Sequence, residues 1–339
     1  MTLARKLMMS GDAQAMHIAV CSATSPYAYA YPWTDAGFGT KISNPGSLPA
    51  GVCNDVAFSP NGDAVALAVN ASPYINAYPF TSSGFGTKHS NPGTLPTGTG
   101  QSVAFAADGA SVAVGHPTSP NISAYPFSPS GFGSKYSNPG TLPPATVNGI
   151  AWAPDNATVV VSYASSPYIS AYPWSAGFGT KYSDPGTLAA GAGMGVAFSP
   201  LGNVVALAHV TSPYVTAWAW SAGFGSKFSD PGTTPTGQGN GVAFSPDGGA
   251  IAVAHNTSPY VTAYPWSSGF GTKVTNPGTL PTGNGNAVAF APNGNSIAVA
   301  HATTPFVSAY PWSGSFGSKF SNPATLPGSA GFGVAFGII

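Results

Sequence analysis

The stretch Val242-Ala243-Phe244-Ser245-Pro246-Asp247-Gly248, followed at once by Ile251-Ala252-Val253-Ala254-His255, decides the fold. Three apolar residues enter a turn in which proline fixes φ, aspartate bonds its own backbone and glycine accepts positive φ. The chain leaves that turn on an alternating Ile, Ala, Val, Ala run, the period-two pattern of a strand. Asn256-Thr257-Ser258-Pro259 turns it again, and Tyr260 to Tyr264 reads as a third strand. Pro265 ends that strand, because it has no N–H to give to a central ladder. After a Ser-Ser-Gly loop, Phe270 to Thr275 reads as a fourth strand, and Asn276-Pro277-Gly278 opens a long loop. The segment predicts a four-stranded antiparallel meander.

The pattern recurs along the chain at a step of 46 or 47 residues. Gly-Phe-Gly, or Ser-Phe-Gly in the last copy, returns with its phenylalanine at Phe38, Phe85, Phe132, Phe178, Phe224, Phe270 and Phe316. Val-Ala-Phe or Ile-Ala-Trp ends at Phe58, Phe105, Trp152, Phe198, Phe244, Phe290 and Phe336. A sheet that is apolar on both faces cannot hide both alone; copies stacked face to face bury one another, and seven close into a ring. The repeat begins at a second strand, His17 to Cys21, and ends after a first strand, Val334 to Phe336, so the two ends complete one blade. Leu7 to Met9 competes for that innermost place but fits the repeat less well. The sequence therefore predicts an all-β, seven-bladed β-propeller over residues 16–339, behind an N-terminal extension at residues 1–15.

At Ala243-Phe244-Ser245-Pro246-Asp247-Gly248 and its cognates the chain resembles WD-repeat and related propellers over about residues 16–336. The resemblance implies that the first strand lines a central channel and the fourth forms the rim. The Gly-His pair of the WD family is absent, and Tyr264-Pro265 stands where Trp-Asp would end the third strand, so that family's hydrogen-bonded tetrad is missing. The charge-poor blades, with runs such as Gly-Phe-Gly-Thr-Lys-Tyr-Ser-Asn-Pro-Gly, also look like repeat propellers of tailed bacteriophages and environmental bacteria.

Charged residues make up 5% of the chain, nine basic and nine acidic, every acid being Asp. A net charge of zero leaves no basic face for nucleic acid. So little charge gives weak colloidal repulsion, which suits an assembly or an extracellular surface. No stretch is apolar and long enough to span a membrane, and the N-terminus lacks the apolar run of a secretory signal, so no membrane insertion is expected. Cys21 and Cys53 fall on neighbouring blades. Given the demanding geometry of a disulfide, two small buried thiols are the preferred reading, with a bridge as the alternative.

Few residues offer chemistry. Asp63, Asp108, Asp155 and Asp247 lie in or beside hairpin turns, Asp184 and Asp230 replace the Asn of the Asn-Pro turn, and Asp12, Asp35 and Asp55 are scattered. His116, His209, His255 and His301 share one repeat position, at the end of the second strand, where other blades carry Ser22, Val69 and Tyr163. Sheets about 10 Å apart hold such residues too far apart for one zinc ion, so they read as polar strand ends bonded to neighbouring loops. Each blade has one lysine near its rim (Lys41, Lys88, Lys135, Lys181, Lys227, Lys273 and Lys319), read as protection of an exposed edge rather than as an anion-binding ring. Tyr27, Tyr74, Tyr168, Tyr214 and Tyr260 follow the Ser-Pro turns on the face of the long Asn-Pro-Gly loops. With the four histidines they mark the expected binding face.

The sequence thus points to a non-enzymatic propeller without metal or other cofactor. The expected role is a decoration or adhesion module on a bacteriophage tail or capsid, in contact with other virion or assembly proteins. A secreted or surface lectin-like propeller that binds cell-surface glycan is the alternative.

Overall fold

The computed structural model describes residues 15–339, and among the described residues there is no helix; Leu7 to Met9 lies outside them. Seven antiparallel sheets follow one another in chain order. Blade 2 shows the plan from the axis outward: Cys53–Phe58, Ala64–Val69, Ile75–Thr81 and Gly84–Phe85. In blade 1 the C-terminal strand Gly331–Ile338 lies innermost, beside Met16–Ser22, Ala28–Thr34 and Gly37–Phe38. Its register runs from Met16 opposite Ile338 to Val20 opposite Val334, so Val334 to Phe336 fills the closing place.

The alternation of the second strands explains the stacking. In Ala64–Val69 the alanines form a shallow face and Val65, Leu67 and Val69 a bulky one. The shallow face, with Ile75 and Ala77, receives Val103, Phe105, Val112, Val114, Tyr125 and Phe127 of blade 3. The bulky face packs on Ala19, Cys21, Ala28 and Ala30 of blade 1. Small meets large at each blade boundary, and every second-strand residue of blade 2 is buried on both faces.

A hydrogen bond from the third strand takes the place of the missing tetrad. Buried Tyr78, Tyr125, Tyr264 and Tyr310 each donate their hydroxyl at 2.9, 2.9, 2.8 and 2.9 Å to a carbonyl in the loop leaving the preceding blade (Ser47, Thr94, Thr233 and Thr279). In blade 5 the indole N–H of Trp218 does the same to Thr187 at 2.8 Å. Each such bond anchors a long loop to the neighbouring blade.

The fourth strand is shorter than the sequence reading. In blade 6 the expected strand from Phe270 to Thr275 reduces to one bridge between Trp266 and Phe270, and blades 4 and 7 behave alike. The reason lies in the third strand. Pro265 accepts a bond from the Gly271 N–H at 2.9 Å through its carbonyl but has no N–H to return. Blade 5 carries Ala219 at that position, and there the outer strand is longest, Phe224–Lys227.

The lysines do more than guard an edge. Each Nζ turns back onto the residue three positions on, Lys88 to Asn91 at 2.6 Å and Lys181 and Lys227 in ion pairs with Asp184 and Asp230. They cap the Asn-Pro turn of their own blade. The two cysteines, preferred as free thiols, are joined in a disulfide between blades 1 and 2, with Cα atoms 5.0 Å apart. The repeat sets that approach: Cys21 ends one blade's second strand, Cys53 opens the next blade's first, and shallow-face packing brings the two together.

Candidate functional site

A cavity of about 320 Å³ lies on the axis, lined by one residue from each blade, six on the innermost strands and Gln101 just before Ser102–Phe105. Asn54, Asn148, Asn240 and Asn286 supply four of the seven places, Gln101 a fifth, and Met194 and Phe332 the rest. The asparagines reach it through a repeated β-bulge. Cys53 pairs with Val69 and Asp55 with Ala68, so Asn54 between them has no partner in the ladder. The same skip leaves Asn148, Asn240 and Asn286 unpaired. A bulge of this kind re-aims a side chain, here toward the channel.

Each of these amides spans to the next blade. Asn54 donates to the Gly100 carbonyl at 2.7 Å, Asn148 to Gly193 at 2.8 Å, Asn240 to Gly285 at 2.7 Å and Asn286 to Gly331 at 2.7 Å. Each NH₂ uses one of its two donors in this way, which leaves a second N–H on Asn54, Asn240 and Asn286, while Asn148 also donates toward the Met194 sulfur at 3.9 Å. The accepting positions are glycine for a steric reason: a Cβ on Gly100, Gly193, Gly285 or Gly331 would run into the carbonyl of Tyr74, Tyr168, Tyr260 or Phe306.

Those aromatic residues form the second ring of the mouth. Tyr27, Tyr74, Tyr168, Tyr214 and Tyr260 are half-buried, and each holds the left-handed backbone, with φ of 68°, 69°, 71°, 68° and 66°. Bulky residues seldom adopt this conformation, and where it persists the surrounding structure holds it. Here the clamp is a pair of backbone bonds, Tyr260 N–H to Thr257 at 2.8 Å and His255 N–H to Tyr260 at 3.0 Å, repeated around the ring. Threonines of the long loops add a second tie, such as Thr236 to the Ser258 carbonyl at 2.7 Å, which joins loops and tyrosine turns on one face.

The histidines lie elsewhere. His116, His209, His255 and His301 are wholly buried, and their Nε2 atoms pair with Ser123, Thr216, Thr262 and Ser308 of the third strand at 3.0, 2.9, 2.9 and 3.0 Å. Burial lowers each to about 4, so the imidazoles are neutral. They stand behind the tyrosine turns and present no surface to a ligand. Tyr163 takes the same place in blade 4 and bonds Ser170 at 2.7 Å.

Asp55 is the residue the sequence reading passed over. It follows Asn54 in the bulge, where the other blades carry Ser102, Gly149, Gly195, Gly241, Ala287 and Gly333. Its carboxylate accepts the Val56 N–H at 2.9 Å and, across the blade boundary, the Val103 N–H at 3.0 Å. Burial pushes it up to about 7, against the pull of those two N–H bonds. The sequence held a signal for both features: aligned on the Val-Ala-Phe marker, one column is rich in Asn, and the next is Gly, Ala or Ser everywhere but at Asp55.

No family model matches the chain, and no curated protein matches it. Solved structures do. A protein of Bacteroides uniformis provisionally named a 6-phosphogluconolactonase superposes with a TM-score of 0.72 at 17% identity, covering 96% of this chain and 100% of its own. The periplasmic gluconolactonase of Pseudomonas aeruginosa gives 0.71 at 14% identity, covering 96% and 99%. A Lactobacillus plantarum protein gives 0.75 at 16% identity, covering 95% and 99%. At such identities the likeness carries the fold. It also corrects the functional expectation: proteins that share this ring along nearly their whole length bear lactonase names, and nothing in the comparisons points to a phage particle, an adhesin or a WD-repeat protein. The non-enzymatic virion reading, with its lectin-like alternative, is set aside. Among the described residues no helix is long and apolar enough to cross a membrane.

Proposed function

We propose that this propeller hydrolyses neutral sugar lactones at the channel mouth, with Asp55 as the general base. The observation that carries the reading is one carboxylate, raised to about 7 by burial, on the residue that follows Asn54 of the channel ring in the same bulge. A base with that affinity for protons is half ionised at neutral pH, the range in which proton transfer to and from water is most effective. The lactonase names of the structural neighbours support the reaction type.

The chemistry balances within these residues. The Asp55 carboxylate takes a proton from water as the water oxygen adds to the lactone carbonyl carbon. The second N–H of a neighbouring asparagine donates to the oxyanion that forms. When the ring C–O bond breaks, the leaving oxygen recovers the proton from Asp55, and the product is the open hydroxy acid. Amide donors and acceptors suit sugar hydroxyls, and the half-exposed tyrosine rings suit the apolar face of a pyranose. A phosphorylated substrate fits less well: the seven repeat lysines cap rim turns, and the ring at the mouth is uncharged. The disulfide and the periplasmic neighbour support a secreted or periplasmic location.

The test is hydrolysis of D-glucono-δ-lactone followed with a pH indicator against the spontaneous rate. Acceleration is expected to rise with pH to a plateau with a midpoint near 7, and Asp55→Asn is expected to lower it about 100-fold or more. No acceleration by the wild-type protein would end the proposal.

A further inference from the structure

Away from the axis, on the face of the Ser-Pro-Asp-Gly hairpins, a second cavity of about 320 Å³ opens between blades 2 and 3. Two departures from the repeat create it. The residue whose N–H bonds the third strand is Ile42, Tyr136, Tyr182, Phe228, Val274 or Phe320 in the other blades but His89 in blade 2. The facing aromatic is Trp33, Trp174, Trp220, Trp266 or Trp312 in five blades but Phe80 in blade 2 and Phe127 in blade 3, so only the boundary of blades 2 and 3 sets a histidine against a phenylalanine. At the boundary of blades 5 and 6, Phe228 and Trp266 meet edge to face at 5.2 Å and fill the equivalent space. At this boundary two smaller rings, His89 and Phe127, meet at 5.6 Å and leave it open.

The walls of the cavity are not neutral. Asp63 and Asp108 line it together with His89 and Phe127. Asp108 is committed on both oxygens, to the Ala110 N–H at 2.8 Å and to Asn156 at 2.7 Å. Asp63 receives the Ser59 hydroxyl on Oδ1 at 2.6 Å and keeps Oδ2 for another partner. Burial lowers the affinity of His89 for protons, and an imidazole in its neutral form offers one ring nitrogen as an acceptor. No lysine or arginine lines the cavity. Among the described residues no group of three His, Cys or Asp side chains has the spacing to hold a metal ion.

We infer that the cleft between blades 2 and 3 is a second binding site, independent of the channel, for a small organic ammonium ion whose apolar part rests on Phe127. The ammonium donates to Asp63 Oδ2 and to the His89 ring, the field of the two carboxylates selects its charge, and the aromatic wall covers its hydrocarbon portion.

The experiment uses benzylammonium at pH 7, with benzyl alcohol as the uncharged match, in calorimetric titration of the whole protein. Two variants borrow residues that the chain already carries at these positions. Asp63→Asn copies Asn203, which keeps the bond from its serine (Ser199 to Asn203, 2.9 Å). His89→Phe copies Phe228 and refills the cleft. Saturable binding of benzylammonium is expected, with benzyl alcohol at least tenfold weaker, a loss of at least tenfold in Asp63→Asn and no measurable binding in His89→Phe. Absence of saturable binding, equal affinity for the alcohol, or unchanged affinity in both variants would overturn the inference. Because both borrowed residues belong to the repeat, unchanged melting of the two variants identifies the lost binding as local.

Discussion

Blades 2 and 6 share one backbone plan and differ in what they carry. Where blade 6 has Gly239, Gly241, Gly249 and Val274, blade 2 has Cys53, Asp55, Asp63 and His89. Blade 6 is the repeat at its plainest: its hairpin closes with Gly248 N–H on Ser245 at 2.8 Å, and its boundary with blade 5 is filled by Phe228 and Trp266. Blade 2 spends the same scaffold on a disulfide, a carboxylate near the axis and an open cleft. The comparison teaches that the ring rests on what the blades have in common, whereas the chemistry sits where one blade departs from its copies.

One difference runs the other way and offers the largest effect. Blade 6 buries His255 where blade 2 has Val69, and blades 3, 5 and 7 bury histidine there too. These imidazoles stay neutral until about pH 4, while in the unfolded chain they take up protons near 6.5. Their contribution to stability is complete above 6.5 and is lost as pH falls from 6.5 toward 4, by on the order of 3 kcal/mol for each. In combination that rivals the whole stability of an ordinary domain. Melting temperature is therefore expected to fall steeply over this window, and hydrogen exchange to quicken in blade 6 before blade 2. His255→Val, which copies Val69, is expected to flatten the acid limb; an unchanged limb would refute the role given to burial.

The disulfide gives the next effect. With its cysteines 32 positions apart, reduction or Cys53→Ala is expected to cost about 3 kcal/mol, seen as a lower denaturation midpoint. The equivalent Gly239→Ala in blade 6 tests something different, since there a Cβ meets the Tyr214 carbonyl, and its cost is strain rather than a lost cross-link. Gly241→Asp sharpens the comparison at the position of the proposed base. If Asp55 works because of its place in the bulge, a double variant carrying Asp55→Asn and Gly241→Asp, where the Val288 N–H stands in for that of Val103, is expected to regain part of the lactonase rate, and no recovery would count against the bulge as what makes the base. The smallest effect is in packing. Trp266→Phe gives the filled boundary the ring of the open one and is expected to cost about 1 to 2 kcal/mol, whereas Phe127→Trp is expected to be close to neutral because space already exists there.

The fold was legible because its information is repeated: the Val-Ala-Phe run and the Ala/Val alternation recur in the seven blades and turns of the Ser-Pro-Asp-Gly type in six, all at the same period. The outer strand was overread because Phe270 to Thr275 has strand composition, while its pairing depends on the donor that Pro265 lacks on the neighbouring strand. The tyrosines were found because they recur. Asp55 and His89 were not, since a search for clustered acids or shared positions ignores single exceptions, and an exception becomes visible only when the blades are laid over one another. The disulfide depended on how closely two blades approach, a distance set by alanines on the shallow face rather than by any cysteine motif.

The amide of Ile339 donates to the carbonyl of Ala15 at 2.9 Å. Head and tail of the described ring are thus one hydrogen bond apart, and the architecture has no privileged point of entry. A circular permutant with a short tether across this junction and a new opening in the loop after Gly278 would preserve every blade while moving the noncovalent seam from blade 1 to a place of the engineer's choosing.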